Sequence, residues 1–385
     1  MKKKVLFFIP FLRAEAGGLP KVASTLTIEF ADKYDISIIS LFHFPELYPT
    51  KGKHFTLAVK NYYTGALTKL IYLQKLIKSI SPDIIISFMF FTSYWIIPIM
   101  YLFKINAPLI ISVNSNPDSQ YKKRFYFKYL IKFLYPLKKV TAVVPVSKEL
   151  KALLAQKYRI NKQKIIPIYN GVKIEKIKQM ALEKIDSHKK VFENPEIIKF
   201  ITLGRLSGEK GHKYLIEAFA IVLKEIPNSQ LFIIGEGKTR PLIEKMIQER
   251  NLNNSVSLLG FLHNPYNYIS RSDIFVLPSL SEGLPYALIE ALICKIPIVS
   301  TNCETGPKEI LENGKYGVLT KVADSQDLAE KMVSLAKDEI ARKNFSNISH
   351  ERIKAFEFDT FIKKWIRLTD YCLNNDQSID FFQKL

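Results

Sequence analysis

Two glutamates, Glu282 and Glu290, flank the turn Gly283-Leu284-Pro285 within the run S-L-S-E-G-L-P-Y-A-L-I-E-A, Ser279 to Ala291. Just before it, Ile274 to Leu277 is a short apolar run bounded by Asp273 and Pro278, the pattern of a buried parallel strand. Beyond it, Gly283 is free to take an unusual backbone angle, Pro285 is pre-set for the first turn of a helix, and apolar positions continue to Ile293. The order is strand, glycine loop, helix. A helix start offers unpaired N–H groups and the positive end of the dipole, so it is a seat for phosphate. At about 1.5 Å per residue, Glu290 stands roughly 7 Å beyond Pro285, which puts the phosphate seat between two carboxylates. Carboxylates repel phosphate and suit sugar hydroxyls. A ligand with hydroxyls at both ends and a diphosphate in the middle is a nucleotide sugar, one glutamate taking the ribose and the other the transferred sugar.

A second constellation is Gly204-Arg205-Leu206-Ser207-Gly208-Glu209-Lys210-Gly211, after another apolar run, Phe200 to Leu203. Arg205 and Lys210 sit on a glycine-rich loop from which both cations can converge on a diphosphate. Alone, such a loop is an ordinary solvated surface, and two glutamates at that spacing occur by chance in helix-rich chains. Together they carry a resemblance. Glu282, Gly283, Pro285 and Glu290 match the glutamate, Gly-x-Pro and second glutamate of retaining glycosyltransferases of family 4, and Gly204 to Lys210 resembles that family's G-R-x4-K element.

The resemblance implies the GT-B fold, two doubly wound Rossmann-like domains facing across a cleft. It also implies transfer of a sugar, with retained anomeric configuration, from a nucleotide sugar to an acceptor hydroxyl. Glu282, Arg205 and Lys210 would then be catalytic, with Glu290 on the ribose and Gly260 and Phe261 against the base through main-chain groups. Gly17 and Gly18, opening a helix in the first half, would face the donor phosphate or the acceptor. Similarity to bacterial enzymes of the family implies a UDP-hexose or UDP-N-acetylhexosamine donor. It implies a lipid-linked saccharide acceptor and a cytoplasmic protein peripheral to the inner face of the cell membrane.

Other motifs limit the chemistry. Gly235-Glu236-Gly237-Lys238-Thr239 invites an ATP-binding reading, but Phe232 stands where a P-loop requires glycine, so a tight strand-to-helix turn at the nucleotide is the better account. Thr305-Gly306-Pro307 is a similar turn. No Asp-x-Asp motif occurs, so fixed cations and a helix end must do what a metal does elsewhere, and no cofactor is expected. Relatives acting on lipid-linked acceptors often carry a Glu-His pair where this chain has Ser112 to Asn116, placing Asn114 on the acceptor side. Asparagine cannot take a proton near neutral pH. The base is therefore elsewhere, or the leaving phosphate takes the acceptor proton.

These residues need a frame. At 385 residues, with 48% hydrophobic and 24% charged, the chain is globular and comfortable as two domains. Short β-rich runs alternate with helical patterns, which means parallel, doubly wound sheets. The first set runs from Val5 to Ile165–Ile168, with a loop near Pro45 to Lys53; a charged linker, Lys173 to Asn194, precedes the second. The expected division is residues 1–172 on the acceptor side, 173–357 for the nucleotide sugar, and 358–385 as a helix crossing back to the first domain. Met1 to Ala16 has the outline of a signal peptide, but Pro10 and Arg13 interrupt it, and a first strand is preferred. Ile84 to Phe103 lacks charge for the length of a membrane span, yet Ser87, Thr92, Ser93 and Pro98 fit a buried strand and helix better.

The three cysteines and six histidines form no ligand-like spacing, so reduced thiols and no metal are expected. A net charge of +20 points to an anionic partner. No zinc-finger or aromatic RNA-binding signature accompanies it, which argues against nucleic acid. The basic run Tyr121 to Lys139 supplies an alternative: as a helix it aligns Arg124, Lys128 and Lys132 in one stripe and Phe127, Ile131 and Leu134 on another face. Its lysines are either solvated over a core helix or set against an anionic membrane surface. Alternatives to transfer are a nucleotide-sugar epimerase or hydrolase, a non-catalytic sensor and a basic nucleic-acid binder.

Overall fold

Strands covered on both faces read as continuous apolar runs, and the runs of this sequence assemble into two separate parallel sheets. The computed structural model describes residues 1–12, 18–43, 48–57, 66–120, 126–185 and 187–374. One compact unit is Met1–Gly171 with the chain from Asp359 onward, and the other is Val172–Phe358. In the first, β1 (Lys4–Ile9), β2 (Asp35–Ser40), β3 (Lys53–Thr56), β4 (Ile84–Phe88), β5 (Leu109–Val113) and β6 (Val140–Pro145) lie in the order β3-β2-β1-β4-β5-β6. In the second, β7 (Ile198–Leu203), β8 (Ser229–Ile234), β9 (Val256–Gly260), β10 (Ile274–Leu277), β11 (Ile298–Thr301) and β12 (Val318–Thr320) lie in the order β12-β11-β10-β7-β8-β9. Both sheets have the doubly wound arrangement. Its order reverses between β1 and β4, and again between β7 and β10, and ligands bind beyond the carboxyl ends of strands at such switch points.

Three expectations change. Residues 53–56 form the edge strand β3, paired with β2 from Ser37↔Lys53 to Ser40↔Thr56, where a loop was expected up to Lys53. An edge strand needs only one covered side, so Lys-His-Phe-Thr shows no apolar run. Ile165–Ile168 is not a strand but a single bridge, Val143↔Ile165, with Ile166 and Ile168 N–H groups donating to Val143 and Pro145. The supposed linker holds a helix, Ile174–Ala181, whose end and following turn are fastened by Asn264 Nδ2 to Met180 O at 2.8 Å and Asn267 Nδ2 to Lys184 O at 2.8 Å. Its charged face hid it; tertiary hydrogen bonds hold it.

The uncharged stretch after Ile84 has no exposed residue as far as Met100. Helix Met89–Leu102 satisfies its polar groups internally, Ser87 with Thr92 at 2.8 Å and Tyr135 Oη with Ser93 Oγ at 3.2 Å. Among the described residues no helix is long and apolar enough to cross a membrane. The last helix, Phe358–Asn374, buries Phe361, Trp365 and Leu368. Trp365 stacks on Phe88 of β4, and Asp370 accepts Tyr34 Oη at 2.8 Å and pairs with Lys33. Burial, and then Asp370, hold the Tyr34 phenol protonated well beyond its usual range.

Candidate functional site

The switch point of the second sheet brings the two constellations together. β7 and β10 are hydrogen-bonded neighbours, Ile274↔Phe200 and Phe275↔Ile201, so the loops at their carboxyl ends must meet. Lys210, from the β7 loop, places Nζ 2.6 Å from Glu282 Oε1, from the β10 loop. Ser279 Oγ donates to the same oxygen at 2.7 Å, and Thr305 Oγ1 holds the Glu282 carbonyl at 2.5 Å. Glu282 is 9% exposed and Lys210 25%. Leu280 N donates to Glu209 O at 2.8 Å, and Gly211, at φ 67, brings the backbone so close that a Cβ there would lie 2.0 Å from Pro278 O. Only glycine fits at that junction.

Arg205 belongs to the same loop but is engaged elsewhere. Its Nη2 donates to Glu209 Oε1 at 2.8 Å, and Ser207 Oγ reaches the same oxygen at 2.7 Å. Burial raises the Glu209 carboxyl, but the bonds from Ser207, its own backbone and Arg205 outweigh it, and the group is held below the usual carboxylate range. Each expected diphosphate cation therefore rests on a carboxylate.

Glu290 is 6% exposed on helix Tyr286–Ile293, and Tyr266 Oη donates to its Oε1 at 3.0 Å. Leu284 is buried, and Pro285 is the residue before the helix. The β8 loop closes the row: Gly235 N donates to Gly260 O at 2.7 Å, and at φ 137 a Cβ on Gly235 would lie 2.0 Å from Gly204 O. Gly260 sits beside Glu236, which pairs with Arg240. Phe261 is 57% exposed, edge-on to His263. His212 escaped the sequence reading. It follows Gly211, is 3% exposed, and its Nδ1 has no partner among the described residues. Burial, and then the Lys210 charge, push it down to about 4, so it is neutral at neutral pH. Glu209, Tyr266 and Ser279 were missed as partners too; only the adjacency of β7 and β10 gives Glu209 and Ser279 their meaning.

In the first unit, Gly18 is the first described residue of helix Gly18–Phe30, whereas Gly17 and Arg124 lie outside the described residues. Asn114, just after β5, donates Nδ2 to Ser112 Oγ at 3.0 Å and leaves a buried Oδ1 without a partner among the described residues. The described part of the basic helix is Tyr126–Leu134, with Ile131 buried and Phe127 stacked on Tyr94. Of the expected stripe, one described member is already paired within the unit. Lys128 is bound 3.0 Å from Asp118 Oδ1, and Lys157 and Tyr158 also bind that carboxylate, while Lys132 is exposed. What the helix shows outward is largely apolar: Tyr126, Tyr129, Leu130 and Phe133, the last 72% exposed, and Tyr101 and Leu102 of helix Met89–Leu102 are exposed too.

The chain is similar to known proteins along most of its length. Residues 16–176 match the model of Glycosyltransferase Family 4, and residues 183–352 match Glycosyl transferases group 1. An uncharacterized glycosyltransferase of Methanocaldococcus jannaschii is 33% identical over 337 residues, 78% of this chain and 82% of that one. A Campylobacter jejuni enzyme, GalNAc-alpha-(1->4)-GalNAc-alpha-(1->3)-diNAcBac-PP-undecaprenol alpha-1,4-N-acetyl-D-galactosaminyltransferase, is 26% identical over 374 residues, 95% of this chain and 98% of that one. Among solved structures, Anabaena HepE in complex with UDP and glucose superposes with a TM-score of 0.76 at 17% identity, covering 96% of this chain and 99% of that one. At that identity the likeness shows the fold alone, and the fold is GT-B.

Proposed function

Because the chain belongs to glycosyltransferase family 4, with the GT-B fold, we propose that it moves a hexose or N-acetylhexosamine from a UDP-sugar to a lipid-linked saccharide, retaining the anomeric configuration and using no metal. The observation that carries this reading is the meeting of Lys210 and Glu282 at 2.6 Å on the loops of two neighbouring strands. One side chain is complementary to a leaving diphosphate and the other to a sugar hydroxyl, and the start of helix Tyr286–Ile293 follows directly. A UDP-sugar is favoured by the ligands of HepE, and a diphospho-undecaprenol-linked acceptor by the Campylobacter relative's name.

In the proposed step, the bond from the sugar C1 to the phosphate oxygen breaks, a bond from C1 to the acceptor oxygen forms on the same face, and the acceptor proton passes to the leaving phosphate. Lys210 and Arg205 stabilise the charge that develops on the diphosphate. Glu282 orients the sugar, and Glu290, already held by Tyr266, takes the ribose. Asn114 takes no proton in this scheme, since an amide is no base near neutral pH. A thermal-shift screen tests the donor class. UDP at about 100 times its Kd should stabilise the protein by roughly 2.7 kcal/mol, a rise of several degrees. No shift with any nucleoside diphosphate contradicts the reading.

A lipid-linked acceptor requires a membrane surface, and helix Tyr126–Leu134 is the proposed docking element, on the inner face of the cell membrane. Its outward aromatic residues suit the boundary between headgroups and acyl chains, with Lys132 for the anionic headgroups. Each large apolar side chain that inserts contributes about 1.5 to 3 kcal/mol. Replacing Tyr129 and Phe133 by serine should therefore weaken co-sedimentation with anionic vesicles more than tenfold. Lys128→Gln should leave it unchanged, since Lys128 is bound to Asp118. Vesicle binding indifferent to the Tyr129 and Phe133 changes contradicts this docking mode.

A further inference from the structure

Glu209 stands between the two cations in sequence and between the two loops in space. Its side chain accepts Arg205 at 2.8 Å and Ser207 at 2.7 Å, and its carbonyl accepts Leu280 N at 2.8 Å. Leu280 is followed by Ser281 and Glu282, and Glu282 returns the chain of contacts to Lys210 at 2.6 Å, next in sequence to Glu209. The result is a closed circuit of two cations and two carboxylates around the proposed diphosphate seat. We propose that Glu209 is a positioning residue: it holds Arg205 beside the seat while no donor is bound and surrenders it to the donor diphosphate, as Glu282 surrenders Lys210 and turns to the sugar.

The physical basis is exchange of like for like. A carboxylate and a phosphate offer a guanidinium similar charge-assisted bonds, and the two-phosphate group replaces two carboxylates. The exchange costs little at Glu209 because the Arg205 pair is open to solvent, 59% and 45% exposed, where such pairs are weak. Arg205 is thereby held on a carboxylate that competes with the donor phosphate for it, weakly enough to be displaced. Meanwhile the Glu209 backbone, bonded to Leu280, keeps the loop in register with Glu282, and that bond does not depend on the side chain.

The proposal rests on the seat being a nucleoside diphosphate site, and the test separates the two ideas. UDP affinity is measured by calorimetry for the wild type, Glu209→Gln, Arg205→Ala and the double variant. Glutamine keeps an oxygen for Ser207 and Arg205 but removes the charge that competes with phosphate, so Glu209→Gln should bind UDP about two- to fivefold tighter. In the Arg205→Ala background the same change should have less than about half that effect, because there is no arginine to release. An equal gain in both backgrounds would mean only that a negative charge near an anion site was removed, and that overturns the positioning role. Weaker binding of UDP by Glu209→Gln overturns it as well. If the wild type binds no UDP, the seat itself is misassigned and the proposal falls with it.

Discussion

Glutamine at position 282 is expected to reduce sugar transfer by a factor of roughly 10² to 10³, the scale of losing one preorganised transition-state contact, while UDP still binds. Glu282 is proposed to face the sugar, so the nucleotide keeps all its own partners. Lys210, released from its 2.6 Å bond to Glu282, is if anything more available to phosphate. Ser279 Oγ, now 2.7 Å from Glu282 Oε1, retains an oxygen acceptor in glutamine, which preserves the loop. Glu290→Gln should behave oppositely. Its carboxylate is positioned by Tyr266 at 3.0 Å, and losing a charge-assisted bond to ribose should weaken UDP binding by about 1.5 to 3 kcal/mol. Calorimetry with UDP on both variants, beside turnover, separates the roles. Equal loss of UDP affinity in the two contradicts the assignment.

The second large effect concerns the cations, and the structure splits two residues that sequence alone treats alike. Arg205→Ala and Lys210→Ala should each raise the barrier by about 2.7 to 4 kcal/mol, since a fixed cation at a forming diphosphate is lost. Their effects on folding should differ. Glu282 is 9% exposed and, without Lys210, becomes a nearly buried carboxylate bonded, among the described residues, by Ser279. A partly buried pair broken on one side costs on the order of 1 to 3 kcal/mol, whereas the Arg205 pair is open to water and contributes under about 1 kcal/mol. Urea unfolding should therefore show Lys210→Ala destabilised and Arg205→Ala near wild type, with turnover low in both. Full turnover in either variant removes that residue from the mechanism.

The frame was legible where burial is two-sided. Strand β10, Ile274–Leu277, has the limits that the sequence implies, and helix Gly18–Phe30 ends where expected, because apolar content alone defines a covered parallel strand and the helix face that packs on such a sheet. Edge strand β3 and helix Ile174–Ala181 were not legible: the first has a single paired side, and the second buries only Ile177 and is fastened by side chains more than eighty residues away. The same division runs through the site. Glu282, Glu290, Arg205 and Lys210 stand out by spacing, since a strand, a glycine turn and a helix fix local geometry. Which cation meets which carboxylate depends on β7 lying beside β10, a property of the folded sheet. On the basic helix, helical periodicity aligned Lys128 with Lys132 correctly, but nothing in the periodicity pairs Lys128 with Asp118 from another segment.

The most direct measurement is release of UDP from a UDP-sugar panel, with and without an undecaprenyl-diphosphate-linked saccharide, in the presence of EDTA. Family membership fixes glycosyl transfer as the class of reaction, so what is at stake is the donor, the acceptor and the absence of a metal. The predicted result is UDP release from one sugar donor that requires the acceptor, persists in chelator, and yields a lengthened lipid-linked product with the donor's anomeric configuration. Release at the same rate without acceptor, conversion of the UDP-sugar to an epimer, or activity abolished by EDTA and restored by magnesium would contradict it.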